Sequence, residues 1–223
     1  MRIRTRLVAI AGLLLASSFM VGSANPVSAA SGKGLNLTVW SMTPPQMENF
    51  ISDSWESADQ PWVTTPPSNQ ICKTIVTPTV DTFTSFSAYL TVFSCQEDYV
   101  IAHYTGTITW PRSETVDFCG SQDDGMRLKI GGTVLFTDWY LQGDVYPCNW
   151  GAHGSYKFTA NKPASIDLWF YENGGGQGVA LRYFTGEDWA LVPEARLTTR
   201  ITADERGGCD RSSRSRERCR PTR

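Results

Sequence analysis

The chain is poor in the residues on which most catalysis depends. It has two histidines in 223 residues, His103 and His153. It has no Gly-x-Ser-x-Gly elbow, no His-Glu-x-x-His pair and no glycine-rich phosphate loop to seat a nucleophile, a zinc ion or a nucleotide. His103 falls in a strand pattern and reads as a satisfied or surface histidine, and His153 falls in a loop with no partner motif. A glycosidase needs two opposed carboxylates roughly 5 to 10 Å apart. The one close acidic pair, Asp123 and Asp124, is adjacent in sequence and suits a metal better. No Cys-x-x-Cys spacing supports a zinc site. After the leader, no apolar run approaches the roughly 20 residues of a membrane helix. These absences point to a non-enzyme without a membrane span.

The leader itself is a secretory signal by pattern. Arg2, Arg4 and Arg6 make a basic start, Leu7 to Met20 an apolar stretch, and Val27-Ser28-Ala29 a small-residue cleavage site. Residues 1–30 are therefore expected to be removed, leaving a secreted, extracellular chain. What remains is long enough for one β domain with a substantial core, expected over 31–195, and too short for a second catalytic domain. Between Ser31 and Ala195 there are 18 acidic against 8 basic residues, whereas 196–223 carries nine Arg against four acids. An acidic body fits cation binding and argues against nucleic acid. The tail has almost no apolar residues and is expected to be a disordered extension.

Six cysteines in an exported chain favour disulfides. Fifteen pairings are possible; proximity favours Cys72 with Cys95, Cys119 with Cys148 and Cys209 with Cys219. The second of these would stiffen the approach to Asp123.

The rest of the chain reads as strand almost throughout. Alternation or β-branched and aromatic enrichment marks 35–40, 73–77, 83–93, 99–110, 115–119, 126–130, 133–138, 155–159, 165–171 and 179–184, and only 45–53 reads as a short helix. Many short strands separated by Gly, Pro, Asn and Asp turns predict an all-β fold, an antiparallel sandwich or barrel-like single domain. Trp40, Trp110, Trp139, Trp169, Phe118, Phe158 and Tyr171 are expected core residues. The acidic pair sits in Gln122-Asp123-Asp124-Gly125, at a strand-to-strand turn. Adjacent carboxylates repel, so an ordered pair calls for a cation or several donors. The same Asp-Asp-Gly also occurs in calcium-free turns, where Asp bonds its own backbone and Gly supplies positive φ.

Tyr104-Thr105-Gly106-Thr107-Ile108, Val116-Asp117-Phe118, Asp123 to Leu128, Asp138-Trp139 and Leu168 to Gly176 occur in an order that resembles the protective-antigen domain family, also called PA-fourteen. The match spans roughly 35–191. The resemblance implies a β-sandwich or barrel-like module that mostly binds carbohydrate. In the lectin branch, typified by flocculins and related adhesins, it further implies one calcium shared by two loops. Asp123 and Asp124, joined by a cis peptide, would supply the first set of ligands. Asn173, with backbone carbonyls at Gly175 and Gln177, would supply the second, and sugar hydroxyls would complete the shell. Glu172 is expected to orient Asn173 or Arg127 and not to ligate. The chain departs from the lectin pattern at Gly174-Gly175-Gly176, where adhesins carry bulky side chains that shape the sugar pocket. Tyr140, Tyr146, Trp150 and His153 are candidates for a stacking rim in its place, or else anchors of a long loop. The reading is a secreted calcium-dependent carbohydrate-binding module for extracellular or cell-wall glycans. The alternative is a structural or protein-interaction β-domain without sugar binding.

Overall fold

The computed structural model describes residues 32–54, 65–84, 86–143, 148 and 152–199, and side chains throughout these except at 53 and 54. The expected signal segment, Tyr146, Trp150, Cys209, Cys219 and nearly all of the basic tail lie outside the described residues.

Eleven strands form two separate antiparallel sheets, a sandwich with no closed barrel among the described residues. The strands are β1 (Leu35–Ser41), β2 (Ile71–Thr77), β3 (Val100–Thr109), β4 (Thr115–Asp123), β5 (Gly125–Ile130) and β6 (Thr133–Asp138). They continue with β7 (His153–Lys157), β8 (Pro163–Glu172), β9 (Gly178–Phe184), β10 (Trp189–Leu191) and β11 (Leu197–Thr198). The larger sheet runs β2-β1-β3-β8-β5-β6 with β11 also on β3, and the smaller β10-β9-β4-β7. Two helices, α1 (Pro44–Ser54) and α2 (Phe86–Phe93), are added. No helix among the described residues is long and apolar enough to cross a membrane.

Strand alternation sorts the apolar residues into two layers. Leu35, Leu37 and Val39 of β1, Ala102 and Tyr104 of β3, Met126, Leu128 and Ile130 of β5, and Leu168 and Phe170 of β8 face the smaller sheet and form the main core. The opposite parity, Trp40, Ile101, Trp169 and Tyr171, faces outward and is covered by Met47 and Phe50 of α1. Each buried large apolar side chain contributes roughly 1.5 to 3 kcal/mol. All seven aromatics expected in the core are buried. His103 stacks on Trp169 at 3.7 Å between ring centroids and bonds Asp167 at 3.1 Å.

Three expectations are corrected. Residues 83–93 are not a strand: Phe86, Tyr89, Leu90 and Phe93 recur at helical spacing, and α2 places Phe93 in the core. His153 opens β7, opposite Cys119, and is not in a loop. The folded unit also continues past Ala195, since Leu197 and Thr198 pair with Ile108 and Thr107 of β3 and Arg196 lies over the Trp110 ring. Cys72 is bonded to Cys95 and Cys119 to Cys148.

The topology brings two chain crossings together. β4 ends at Asp123 in the smaller sheet, paired with Gly178, and β5 begins at Gly125 in the larger one, paired with Tyr171. β8 leaves the larger sheet at Glu172, and β9 enters the smaller at Gly178. Because β4 neighbours β9 and β5 neighbours β8, the segments 123–125 and 172–178 cross between sheets side by side. The acidic pair thus lies between two strands, as expected, but those strands belong to different sheets.

Candidate metal centre at the paired crossings

A chain that changes sheets in one residue cannot finish its ladder bonds there, so its backbone and side chains must find other partners. Asp124 is that residue. Its N–H donates to the Tyr171 carbonyl at 3.3 Å, and its own carbonyl accepts from Gln142 Nε2 at 2.9 Å. Its carboxylate accepts from the Gln142 N–H at 2.9 Å and the Asn173 N–H at 2.8 Å. The Asp123–Asp124 peptide is cis, as the resemblance implies. Gly125 follows for clearance and not for positive φ: a Cβ there would stand 2.1 Å from the buried Tyr171 ring.

The second crossing closes over the first. Gly174 and Gly175 have φ of 145° and 109°, a region L-residues rarely adopt. A Cβ on Gly176 would stand 2.8 Å from Asp123 Oδ2. The bare backbone of this loop therefore approaches the acidic pair where a side chain would collide with it.

One carboxylate oxygen from each of Asp123, Asp124 and Glu172 lies within 4.8 Å of the other two, all in buried residues. Glu172 is 0% exposed. One of its oxygens accepts the Gly174 N–H at 2.6 Å, and the other is buried with no hydrogen-bond partner. Asn173 Oδ1 is likewise buried and unpartnered. Burial, then the Asp124 charge, with Asp123 and Asp98 behind it, pushes the Glu172 carboxyl up to about 9. Burial also raises Asp124, against the two N–H donors that favour its anion. Three crowded acids and two idle buried oxygen acceptors are an arrangement that a cation satisfies and that neutral protein does not.

Of the residues singled out from sequence, Asp123, Asp124 and Asn173 meet here, with Gly175 and Gln177 in the covering loop. Gln177 donates its side-chain amide to the Tyr89 hydroxyl. Tyr140 is exposed, and its hydroxyl bonds Asp138, whose carboxylate accepts from Gln122 and Gln142. Tyr140 thus joins the network that holds Asp124. His153 does not join it. It lies on β7 beside Trp189, opposite Cys119, which is four residues back along β4 from Asp123. Two further acids stand at the site. Glu172, expected to orient Asn173 or Arg127, shares the parity of the inward Leu168 and Phe170 and lies among the carboxylates. Asp98, beside the Gly175 N–H at 3.4 Å, carried no signal.

The raised carboxyls have a consequence for metal-free protein. Between the ordinary pKa of Glu172, near 4.5, and its folded value, about 9, the native state holds a proton that the unfolded chain releases. Stability therefore falls as pH rises across that window. Asp167, which burial would raise but the His103 hydrogen bond and charge hold low, acts in the opposite sense only at lower pH. Melting temperatures of chelator-treated protein are expected to decline from pH 5 to pH 9, and calcium is expected to flatten or reverse the decline, because it binds the ionised acids and releases their protons. A metal-free melting temperature that rises over this range would contradict the assignment.

No protein-family model matches the chain, and no curated protein matches it. Solved structures do. The chain is similar to an anti-sigma factor domain-containing protein from Clostridium clariflavum, with 19% identity, a TM-score of 0.52 and 77% of this chain covered. It spans about half the length, 48%, of that protein and of a second of the same description. It is similar to a PA14 sugar-binding domain from an RTX adhesin at 14% identity and a TM-score of 0.54, covering 75% of this chain and 99% of that one. It is also similar to the Epithelial Adhesin 6 A domain from Candida glabrata, solved with Galβ1-3GlcNAc, at 12% identity and a TM-score of 0.52, covering 80% and 92%. The described chain has the fold of a PA14 domain.

Proposed function

We propose that this protein is a secreted, calcium-dependent carbohydrate-binding domain. The observation that carries the reading is the pair of crossings, which gather Asp123, Asp124 and Glu172 around oxygens that no protein donor satisfies. Asp123, Asp124 and the Asn173 side chain would hold the ion, with the carbonyls of Gly175 and Gln177 above it. Glu172 adds the third negative charge. Calcium takes six to eight oxygens and, when bound with its shell incomplete, can accept the vicinal hydroxyls of a sugar. The backbone N–H groups of Gln142 and Asn173 fix the Asp124 carboxylate, so the chain orients its ligands before any ion arrives. The glycine loop lets backbone approach the acids closely, where a Cβ at Gly176 would meet Asp123 Oδ2.

The sugar-binding PA14 domain and the adhesin complex share this fold, which supports the reading without fixing the sugar. Two disulfides fit an oxidising compartment, as does the signal-like leader. The partner is expected to be an extracellular or cell-wall glycan. The domain is read as a binder and not an enzyme. Its bounds are placed near residue 31 and just after Thr199, with a basic extension beyond.

The test is a glycan array probed in calcium and again in chelator. Retention on a defined set of glycans that chelator abolishes is the expected result. Retention unaffected by chelator, or none in either buffer, would replace this reading with that of a structural or protein-interaction domain.

A further inference from the structure

The glycine loop offers no side chain to shape a sugar pocket, but a different part of the molecule stands against it. Residues 81–98 follow the second crossing closely. Asp81 bridges to Ala180, and the Thr82 N–H bonds the Val179 carbonyl at 2.9 Å. The Phe83 ring packs so closely on Gly178 that a Cβ there would meet it at 2.2 Å. The Tyr89 hydroxyl accepts from Gln177, and Asp98 faces the Gly175 N–H. The helix α2 in the middle of this segment has a buried side and an open one. Tyr89 and Phe93 turn inward, their rings 4.9 Å apart, and Phe93 meets Phe170 edge-on at 6.2 Å. Phe86 stacks on Tyr89 at 6.2 Å with planes 10° apart, yet it is 74% exposed, and Leu90, one turn on, is also exposed.

An aromatic ring this open is common on protein surfaces when alone. Phe86 is not alone: it ends a ladder of rings anchored in the core. That ladder is tied through Tyr89 to Gln177, a residue of the loop that covers the acids. The Lys73 ammonium bonds the Leu90 carbonyl at 3.1 Å, and the Cys72–Cys95 bridge closes the chain just beyond the helix. The ring is thus linked, through Tyr89 and Gln177, to the loop that covers the acids.

We infer that Phe86, on the exposed face of α2, is a stacking platform for the second sugar of an oligosaccharide whose first sugar is held at the crossings. The occupant is a pyranose ring, because its C–H face matches an aromatic face while its hydroxyls stay in water, and because the platform continues a site already read as binding a diol. This rests on the calcium-dependent reading of that site. It makes α2, and not the glycine loop, the element that selects glycan length and linkage.

The experiment compares wild type, Phe86→Ala and Phe86→Tyr on an array presenting each terminal sugar both alone and within linear oligosaccharides, with calcium titrated into each protein by calorimetry. Phe86→Ala is expected to weaken oligosaccharide binding by about tenfold, the scale set by burying roughly 60 Å² of ring. Its calcium affinity, melting temperature and monosaccharide binding are expected to stay those of wild type. Phe86→Tyr, which keeps the ring, is expected to keep oligosaccharide binding. Equal oligosaccharide binding by wild type and Phe86→Ala would overturn the platform while leaving the calcium site standing. Equal losses for mono- and oligosaccharides would also overturn it, by making Phe86 part of the first subsite. An array on which wild type binds no sugar removes the platform together with the sugar site.

Discussion

Replacing Glu172 with Gln is expected to stabilise the metal-free protein and, in the same molecule, to remove most of the stabilisation that calcium gives. The two effects have one cause. At pH 7 the folded protein keeps the Glu172 carboxyl neutral, although the unfolded chain would ionise it; the side chain is fully buried and its pKa is pushed up to about 9. Holding that proton costs the native state on the order of 1 to 3 kcal/mol, a cost the neutral amide does not incur. A domain of this size gains roughly 2 to 4 °C per kcal/mol, so the metal-free variant is expected to melt several degrees higher. Calcium, by contrast, needs the negative charge, and a ligand that binds only the native state raises its stability by mass action. Calorimetric melting of both proteins in chelator and in millimolar calcium reads both halves. A variant that melts lower without metal, or that keeps the full calcium gain, would show that Glu172 is a structural acid after all.

The second large effect separates the ion from the fold. Asn173→Ala is expected to abolish calcium-dependent retention on glycans and leave the circular dichroism spectrum unchanged. The bond from residue 173 to Asp124 is made by the backbone N–H, which Ala retains, and the amide oxygen that is lost has no protein partner. Removing that oxygen therefore deprives only an ion. Truncation after Arg200 is the control. An arginine-rich tail acts through screened charge that fades beyond a Debye length of roughly 8 Å at physiological salt, so the truncated chain is expected to bind as wild type in 0.15 M salt. If truncation loses binding and Asn173→Ala keeps it, attachment is electrostatic and the crossings are not the glycan site.

The strands were legible because alternation is a local property that burial enforces. Leu35 to Trp40, Met126 to Ile130 and Thr133 to Asp138 appear almost as read. The run from Phe83 to Phe93 reads as strand because seven of its eleven residues are aromatic or β-branched. The spacing of Phe86, Tyr89, Leu90 and Phe93 was the helical signal within it. The acidic pair was visible as a cluster of charge, but its setting was not. Strand, glycine and strand read alike for a hairpin and for a crossing between sheets, and only the pairing of Asp123 with Gly178 and of Gly125 with Tyr171 decides between them. Glu172 lay halfway between. The alternation of Leu168, Phe170 and Glu172 gave its direction, while the acids it would meet depended on which strands are neighbours. Asp98 and the link from Tyr89 of α2 to Gln177 were beyond reach, since both arise from contacts across some 80 residues of chain.

The most direct measurement is an anomalous difference map from crystals of this domain grown in calcium, collected at a wavelength where calcium scatters anomalously. The account predicts one strong peak between the crossings, with carboxylate oxygens of Asp123 and Asp124 and the Asn173 Oδ1 about 2.3 to 2.6 Å away. A map with no peak there, or with calcium only at exposed acids elsewhere on the surface, would contradict it.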